Sequence, residues 1–180
     1  MDKQLKEKLS GIKLLICDID GVLTDGALIK STSGEEMRSF NALDGSGFVM
    51  LRLLNLNIKT AWITGRESKT TTIRAEELQI DDIYNGLIRK IDAYSELKKK
   101  YSVSDNEICF IGDDIIDIPI LEKVGFAVTV PNAPSYIANY VHYTTTLAGG
   151  KGAAREVIDM LIESRGDFTQ QLDKLLSELR

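Results

Sequence analysis

Four groups of residues in this chain have types and spacings suited to reaction chemistry. Asp18 and Asp20 close the apolar run "LLICDIDG". Thr64-Gly65-Arg66 follows "KTAWI", and Lys90 precedes "IDAYSELKKK". Gly112-Asp113-Asp114 follows "EICFI", with Asp117 close behind. Carboxylates gathered in one pocket repel and raise one another's pKa unless a cation lies among them. Asp18 and Asp113 are of the type that holds a hard divalent ion such as Mg²⁺, which takes oxygen ligands and keeps several waters. The Thr64 hydroxyl and the Lys90 ammonium supply donors for an anion. Together these groups read as a phosphoryl-transfer site. One carboxylate can attack phosphorus and form an aspartyl-phosphate. A second carboxylate two residues on shares its face if the chain is extended. It can protonate the leaving oxygen and later activate water.

For these groups to meet, the elements carrying them must end at one edge. Short apolar runs at 12–17, 58–64, 107–112 and 126–130 read as buried parallel strands, with a weaker candidate at 81–85. Helical stretches lie between and after them, at about 45–56, 67–79, 89–101, 115–124 and 152–165. The alternation predicts an α/β fold, a Rossmann-like parallel sheet with helices on both faces. In such sheets ligands bind beyond the carboxyl ends of the strands, where all four groups fall. Residues 26–41 break the rhythm: Ser33-Gly34 between two mixed arms predicts a projecting β-hairpin. The tail 166–180 reads as an amphipathic helix with Leu172, Leu175, Leu176 and Leu179 on one side.

The 180 residues suggest one domain, 1–180, with ordinary apolar and charged fractions. A net charge of −5 argues against a duplex nucleic-acid binder, though not against an anionic small molecule. No apolar run is long enough to span a membrane, and the charged start "MDKQLKEKLSG" lacks the apolar segment of a signal peptide. Cys17 and Cys109 read as buried thiols of a cytoplasmic protein. The one histidine, His142, reads as structural and Trp62 as core.

"DIDGVLT", "ITGR", Lys90 and "GDDIID", in that order, resemble the motifs of the haloacid-dehalogenase-like phosphatases over nearly the whole chain. The resemblance implies that Asp18 is the nucleophile and Asp20 the general acid/base, whose backbone carbonyl also meets Mg²⁺. It implies Asp113 as the third metal ligand, Asp114 and Asp117 as its supports, and Thr64 and Lys90 as phosphate holders. The stretches between motifs are taken up by a hairpin, helices and strands, which leaves no room for an inserted cap domain. Another subunit then has to exclude water from the site. Capless members with a hairpin, together with "GEEMRSFNALDGSG" and "AGGKGAAREV", resemble the 3-deoxy-D-manno-octulosonate 8-phosphate phosphatases of lipopolysaccharide synthesis. That resemblance implies a phosphorylated sugar-acid substrate and a homotetramer built on the hairpins. It implies substrate contacts from Asp20, Asn41, Asp44, Gly65, Arg66, Arg74 and Lys90. Arg66 and Arg74, eight residues apart, would share a face of one helix. The family arginine before "DG" is replaced by Leu43, and a second basic position by Val49. Leucine has no fork for a carboxylate, which keeps open a nonulosonate 9-phosphate as substrate. A non-catalytic regulatory module is the remaining alternative.

Overall fold

The computed structural model describes residues 3–178. Its centre is a parallel sheet of β1 (Leu14–Cys17), β4 (Lys59–Ile63), β5 (Asp82–Tyr84), β6 (Ile108–Ile111), β7 (Phe126–Thr129) and β8 (Tyr143–Thr144). Their spatial order is β5-β4-β1-β6-β7-β8. The chain leaves β1 toward β4 on one side and returns to β6 on the other. The strand order therefore reverses at β1, the position where open α/β sheets bind ligands.

Every residue of β1 and β6 is buried, because both sheet faces are covered. Leu15, Cys17, Trp62, Cys109 and Ile111 face one core, lined by α1 (Lys3–Ser10), α2 (Ala42–Leu53), α3 (Lys69–Leu78) and α6 (Ala153–Ser164). Leu14, Ile16, Ile63 and Phe110 face the other, against α4 (Lys90–Tyr101) and α5 (Ile118–Leu121). Trp62 is core as expected, stacked on Phe40 at 6.2 Å and edge-on to Phe48 at 5.6 Å. Cys17 and Cys109 are buried free thiols. His142 is structural: its N–H donates to Ala127 O at 2.9 Å, and its Nδ1 accepts the Ala127 N–H at 2.9 Å.

Several expectations are corrected. The helix expected at 45–56 begins three residues earlier, because Asn41 caps it by accepting from Leu43 N at 2.8 Å. The stretch 115–124 is a 3₁₀ turn, Ile115–Asp117, followed by the short α5. Asp114 and Asp117 cap that turn reciprocally, and Pro119 lies in the first turn of α5. The sequence reading passed over α1 and β8. The hairpin is present, but its paired arms are only β2 (Ile29–Lys30) and β3 (Glu36–Met37). Phe40, near the end of the 26–41 segment, packs on the core. The tail forms α7 (Phe168–Glu178). Leu175 is buried there while Leu172 and Leu176 stay exposed, so its leucine face is only partly covered. Leu179 lies outside the described residues. No helix among the described residues is long and apolar enough to cross a membrane.

Candidate active site

The strand β1 ends at Cys17, and the chain then winds through a single wide turn, Ile19–Leu23. The turn is kinked, and Asp18 and Asp20 themselves keep extended dihedrals, with ψ 164° and 108°. Gly21 closes the turn at φ +95°, and a Cβ there would lie 2.0 Å from Asp113 Oδ2. Only glycine meets both demands. Thr24 Oγ1 completes the turn, accepting from Gly21 N at 3.3 Å and donating to Ile19 O at 3.2 Å.

The turn is held from outside as well. Asn132 Nδ2 donates to Gly21 O at 3.0 Å, while its Oδ1 accepts from Gly149 N at 2.7 Å. Gly150 N donates to Val22 O at 2.9 Å. A Cβ on Gly149 would lie 1.7 Å from Gly21 O. The "AGG" of the sequence thus gives close backbone approach to the turn that carries Asp18 and Asp20.

Asp18 is 4% exposed and Lys90, the first residue of α4, is 1% exposed. Lys90 Nζ lies 2.6 Å from Asp18 Oδ1 and 2.7 Å from Asp117 Oδ1. The other oxygen of Asp117 accepts from Asp113 N at 3.0 Å and Asp114 N at 3.1 Å. Asp117 therefore fixes both the lysine and the loop that bears Asp113. Asp114 is exposed and accepts from Ile115 N at 2.7 Å. Burial pushes the Asp18 carboxyl well up, with Lys90 opposing and Asp117 and Asp113 adding to the rise. Asp113 is raised to about 6, by burial first and Asp117 second. Burial disfavours the Lys90 charge, but Asp18 and Asp117 outweigh it and hold its pKa above the usual lysine value.

Acceptor atoms of Asp18, Asp113 and Asp117 lie within 4.8 Å of one another, and Asp113 Oδ1 is buried without a protein donor. Three carboxylates face one ammonium, so the cluster carries excess negative charge in a partly dry site. A hard divalent cation fits both the charge and the all-oxygen donor set.

Asp20 points elsewhere. Its Oδ2 accepts from Thr64 Oγ1 at 3.0 Å, and its two oxygens lie 3.2 and 3.3 Å from Arg38 Nη1. Thr64 is buried at the end of β4 and also accepts from Arg66 N at 3.1 Å. Gly65 sits close by, against Ile116 and Ile88.

The remaining expected residues are placed differently. Arg66 precedes Ser68, the cap of α3, so it shares no helical face with Arg74; its Nη2 lies 3.5 Å from Glu36. Arg74 pairs with Glu77 at 3.0 Å, and its guanidinium lies over Gly45. Asn41 Nδ2 donates to Gly150 O at 3.1 Å. Asp44 is buried at the start of α6, accepting from Arg155 N at 2.8 Å. Asn41 thus ties the start of α2 to the loop before α6, and Asp44 ties α2 to α6 itself. Arg38 and Asn132 were not anticipated. Their partners lie 18 and 111 residues away in sequence, and no local spacing signals such contacts.

The family model described as haloacid dehalogenase-like hydrolase matches residues 52–157. Similar proteins include the 3-deoxy-D-manno-octulosonate 8-phosphate phosphatase of Salmonella typhi, 41% identical over 91% of this chain and 86% of that protein. The Escherichia coli K12 enzyme of the same name is 40% identical over the same shares. Among solved structures, the Moraxella catarrhalis phosphatase of that name, in complex with magnesium, phosphate and KDO, is 33% identical with a TM-score of 0.91, over 97% of this chain and 99% of that one. The cobalt-bound Haemophilus influenzae enzyme is 36% identical with a TM-score of 0.85, over 92% of this chain and 98% of that one. Capless fold, motif order and near-full-length identity agree, and the chain belongs to the haloacid dehalogenase-like hydrolases as a relative of the 3-deoxy-D-manno-octulosonate 8-phosphate phosphatases.

Proposed function

We propose that the chain is a Mg²⁺-dependent phosphatase that hydrolyses 3-deoxy-D-manno-octulosonate 8-phosphate to the free sugar acid and phosphate, a step of lipopolysaccharide precursor synthesis in the cytoplasm. The observation that carries this reading is the buried Asp18 at the end of β1, held by Lys90 at 2.6 Å. Asp18 attacks phosphorus and the sugar oxygen departs, giving an aspartyl-phosphate. Asp20 protonates that oxygen, then takes a proton from water as the water attacks the phosphoryl group. The Thr64 hydroxyl, the Gly65 N–H and Lys90 hold the phosphoryl oxygens, the positions at which charge must be balanced. Asp18, Asp113 and the Asp20 carbonyl are the residues that would hold Mg²⁺, with Asp114 and Asp117 behind them. When bound, the ion neutralises charge between the carboxylates and the phosphoryl group. Arg66 is the side chain we assign to the sugar acid's carboxylate, since it follows Thr64-Gly65 directly and its ion pair with Glu36, at 3.5 Å, is longer than that of Arg74 with Glu77, at 3.0 Å.

The active form we propose is a homotetramer built on the hairpins. Leu28, Ile29 and Met37 are 48%, 48% and 56% exposed on a two-stranded ribbon with open edges, and such ribbons pair with copies of themselves. The test of function is phosphate release by the purified chain from the octulosonate 8-phosphate, a nonulosonate 9-phosphate and p-nitrophenyl phosphate, with Mg²⁺ and after EDTA. The expected result is Mg²⁺-dependent release, with kcat/KM highest on the eight-carbon compound. A preference for the nine-carbon compound would overturn the substrate assignment. No release from any of them would leave a binding module.

A further inference from the structure

We infer that Arg38 is a positioning residue for Asp20, holding the acid/base carboxylate in place and tying it to the hairpin. The inference rests on the reading of Asp20 as proton donor to the leaving oxygen. Arg38 directly follows β3, and its side chain is 1% exposed. Its Nη1 lies 3.2 Å from Asp20 Oδ1 and 3.3 Å from Asp20 Oδ2. One donor set against both oxygens resists rotation of the carboxylate. Thr64 Oγ1, at 3.0 Å from Oδ2, fixes it from another direction. The guanidinium is itself fixed. Nε donates to Glu36 Oε1 at 2.9 Å on β3, and Nη1 donates to Thr71 Oγ1 at 3.0 Å on α3. Asp20 is therefore oriented by a cation whose own orientation depends on where β3 sits against α3.

A purely structural reading of Arg38 accounts for the burial but not for the partner. Burying a guanidinium is costly, and a fork kept for stability alone would satisfy its donors. Here Nη2 is buried with no hydrogen-bond partner among the described residues, while Nη1 is directed at the carboxylate proposed to move the proton. The hairpin thus has a second role beside assembly, since its last residues set the geometry of proton transfer.

Proton donation matters in proportion to how poor the leaving group is, and positioned acid–base groups contribute roughly 10²–10⁴ in rate. Arg38→Ala and Arg38→Lys would be compared with wild type on an alkyl phosphate, the octulosonate 8-phosphate, and on p-nitrophenyl phosphate, whose leaving group needs no proton. In Arg38→Ala, kcat on the alkyl phosphate is expected to fall at least about ten-fold further than kcat on the aryl phosphate, within the range that acid catalysis supplies. Arg38→Lys should recover part of the difference. Equal losses on both substrates, or no loss, would overturn the inference. If Arg38→Ala does not fold, Arg38→Lys and Arg38→Gln carry the same comparison. If wild type releases phosphate from neither compound, the phosphatase reading falls and the inference with it. Unequal losses that are larger on the aryl phosphate would overturn the inference alone.

Discussion

Single side chains decide the chemistry here through partners far away in sequence, and His142 illustrates how such a contact can be tested. Its Nδ1 accepts the Ala127 N–H at 2.9 Å, which a protonated ring cannot do. Burial, with Lys8 adding to it, holds the His142 pKa below the ordinary histidine value. The unfolded chain then binds the proton more readily than the folded one. The stability involved is fully present above the unfolded pKa of about 6.5 and is lost as pH falls through the lower folded value. In saturating Mg²⁺, which keeps the site carboxylates ionised, the urea midpoint of wild type should drop between about pH 7.5 and about pH 5.5. His142→Asn keeps an acceptor at the Nδ1 position without a titration and should drop less; an equal drop in both would contradict the assignment. Residue by residue, the groups gathered at the sheet edge were legible because each stands next to its own strand end or helix start. Asp18, Thr64, Lys90 and Asp113 need no distant information to be placed. The place of Asp44 was not legible for the opposite reason: its carboxylate meets Arg155 N, 111 residues on, and no local spacing signals that contact.

At the scale of elements, the turn after β1 and the loop after β8 form one unit. Asn132 bridges Gly21 and Gly149, and Glu156 of α6 organises the loop by accepting from Thr146 N at 2.9 Å and Leu147 N at 3.0 Å. Gly149→Ala would drive a Cβ to 1.7 Å from Gly21 O, a backbone atom that cannot swing aside. We expect it to cost about 1–3 kcal/mol of stability, as overpacking does, and to lower kcat by displacing Asp18 and Asp20. Thermal unfolding and phosphate release on the same preparation check this. A variant with unchanged midpoint and kcat would show that the turn does not depend on the loop. The strands of the sheet were legible from their unbroken apolar runs, which follow from burial on both faces. The two-residue arms β2 and β3 were overestimated, because alternation in "GALIKSTSGEEMRSFN" marks where a ribbon can form without marking how far it pairs. The β8 strand was passed over, since two residues carry no periodicity.

For the whole molecule, the self-association proposed above would both cover Asp18, over which no inserted domain lies among the described residues, and bury the exposed apolar ribbon. Replacing Leu28 and Ile29 with glutamate puts like charges where copies would meet. Light scattering should then report a tetramer for wild type and a smaller species for the double variant, with kcat/KM reduced at least several-fold if a neighbour excludes water from the site. A monomeric wild type with full activity would contradict the assembly. A monomeric variant with unchanged kcat/KM would contradict the covering role. Restoring the fork with Leu43→Arg, at a position 55% exposed on the first turn of α2, should raise kcat/KM on the octulosonate 8-phosphate over the nonulosonate 9-phosphate. No change across that pair would separate position 43 from specificity. The proposed catalysis depends on covalent chemistry at one carboxylate, and the most direct measurement is to trap it. Wild type turning over the octulosonate 8-phosphate with Mg²⁺ is quenched and reduced with borohydride, which converts an acyl-phosphate to an alcohol, and the peptides are sequenced by mass spectrometry. The account predicts homoserine at position 18 alone, and none after EDTA. Homoserine at position 20 or 113, or an unmodified Asp18 in an enzyme caught at full turnover, would contradict it.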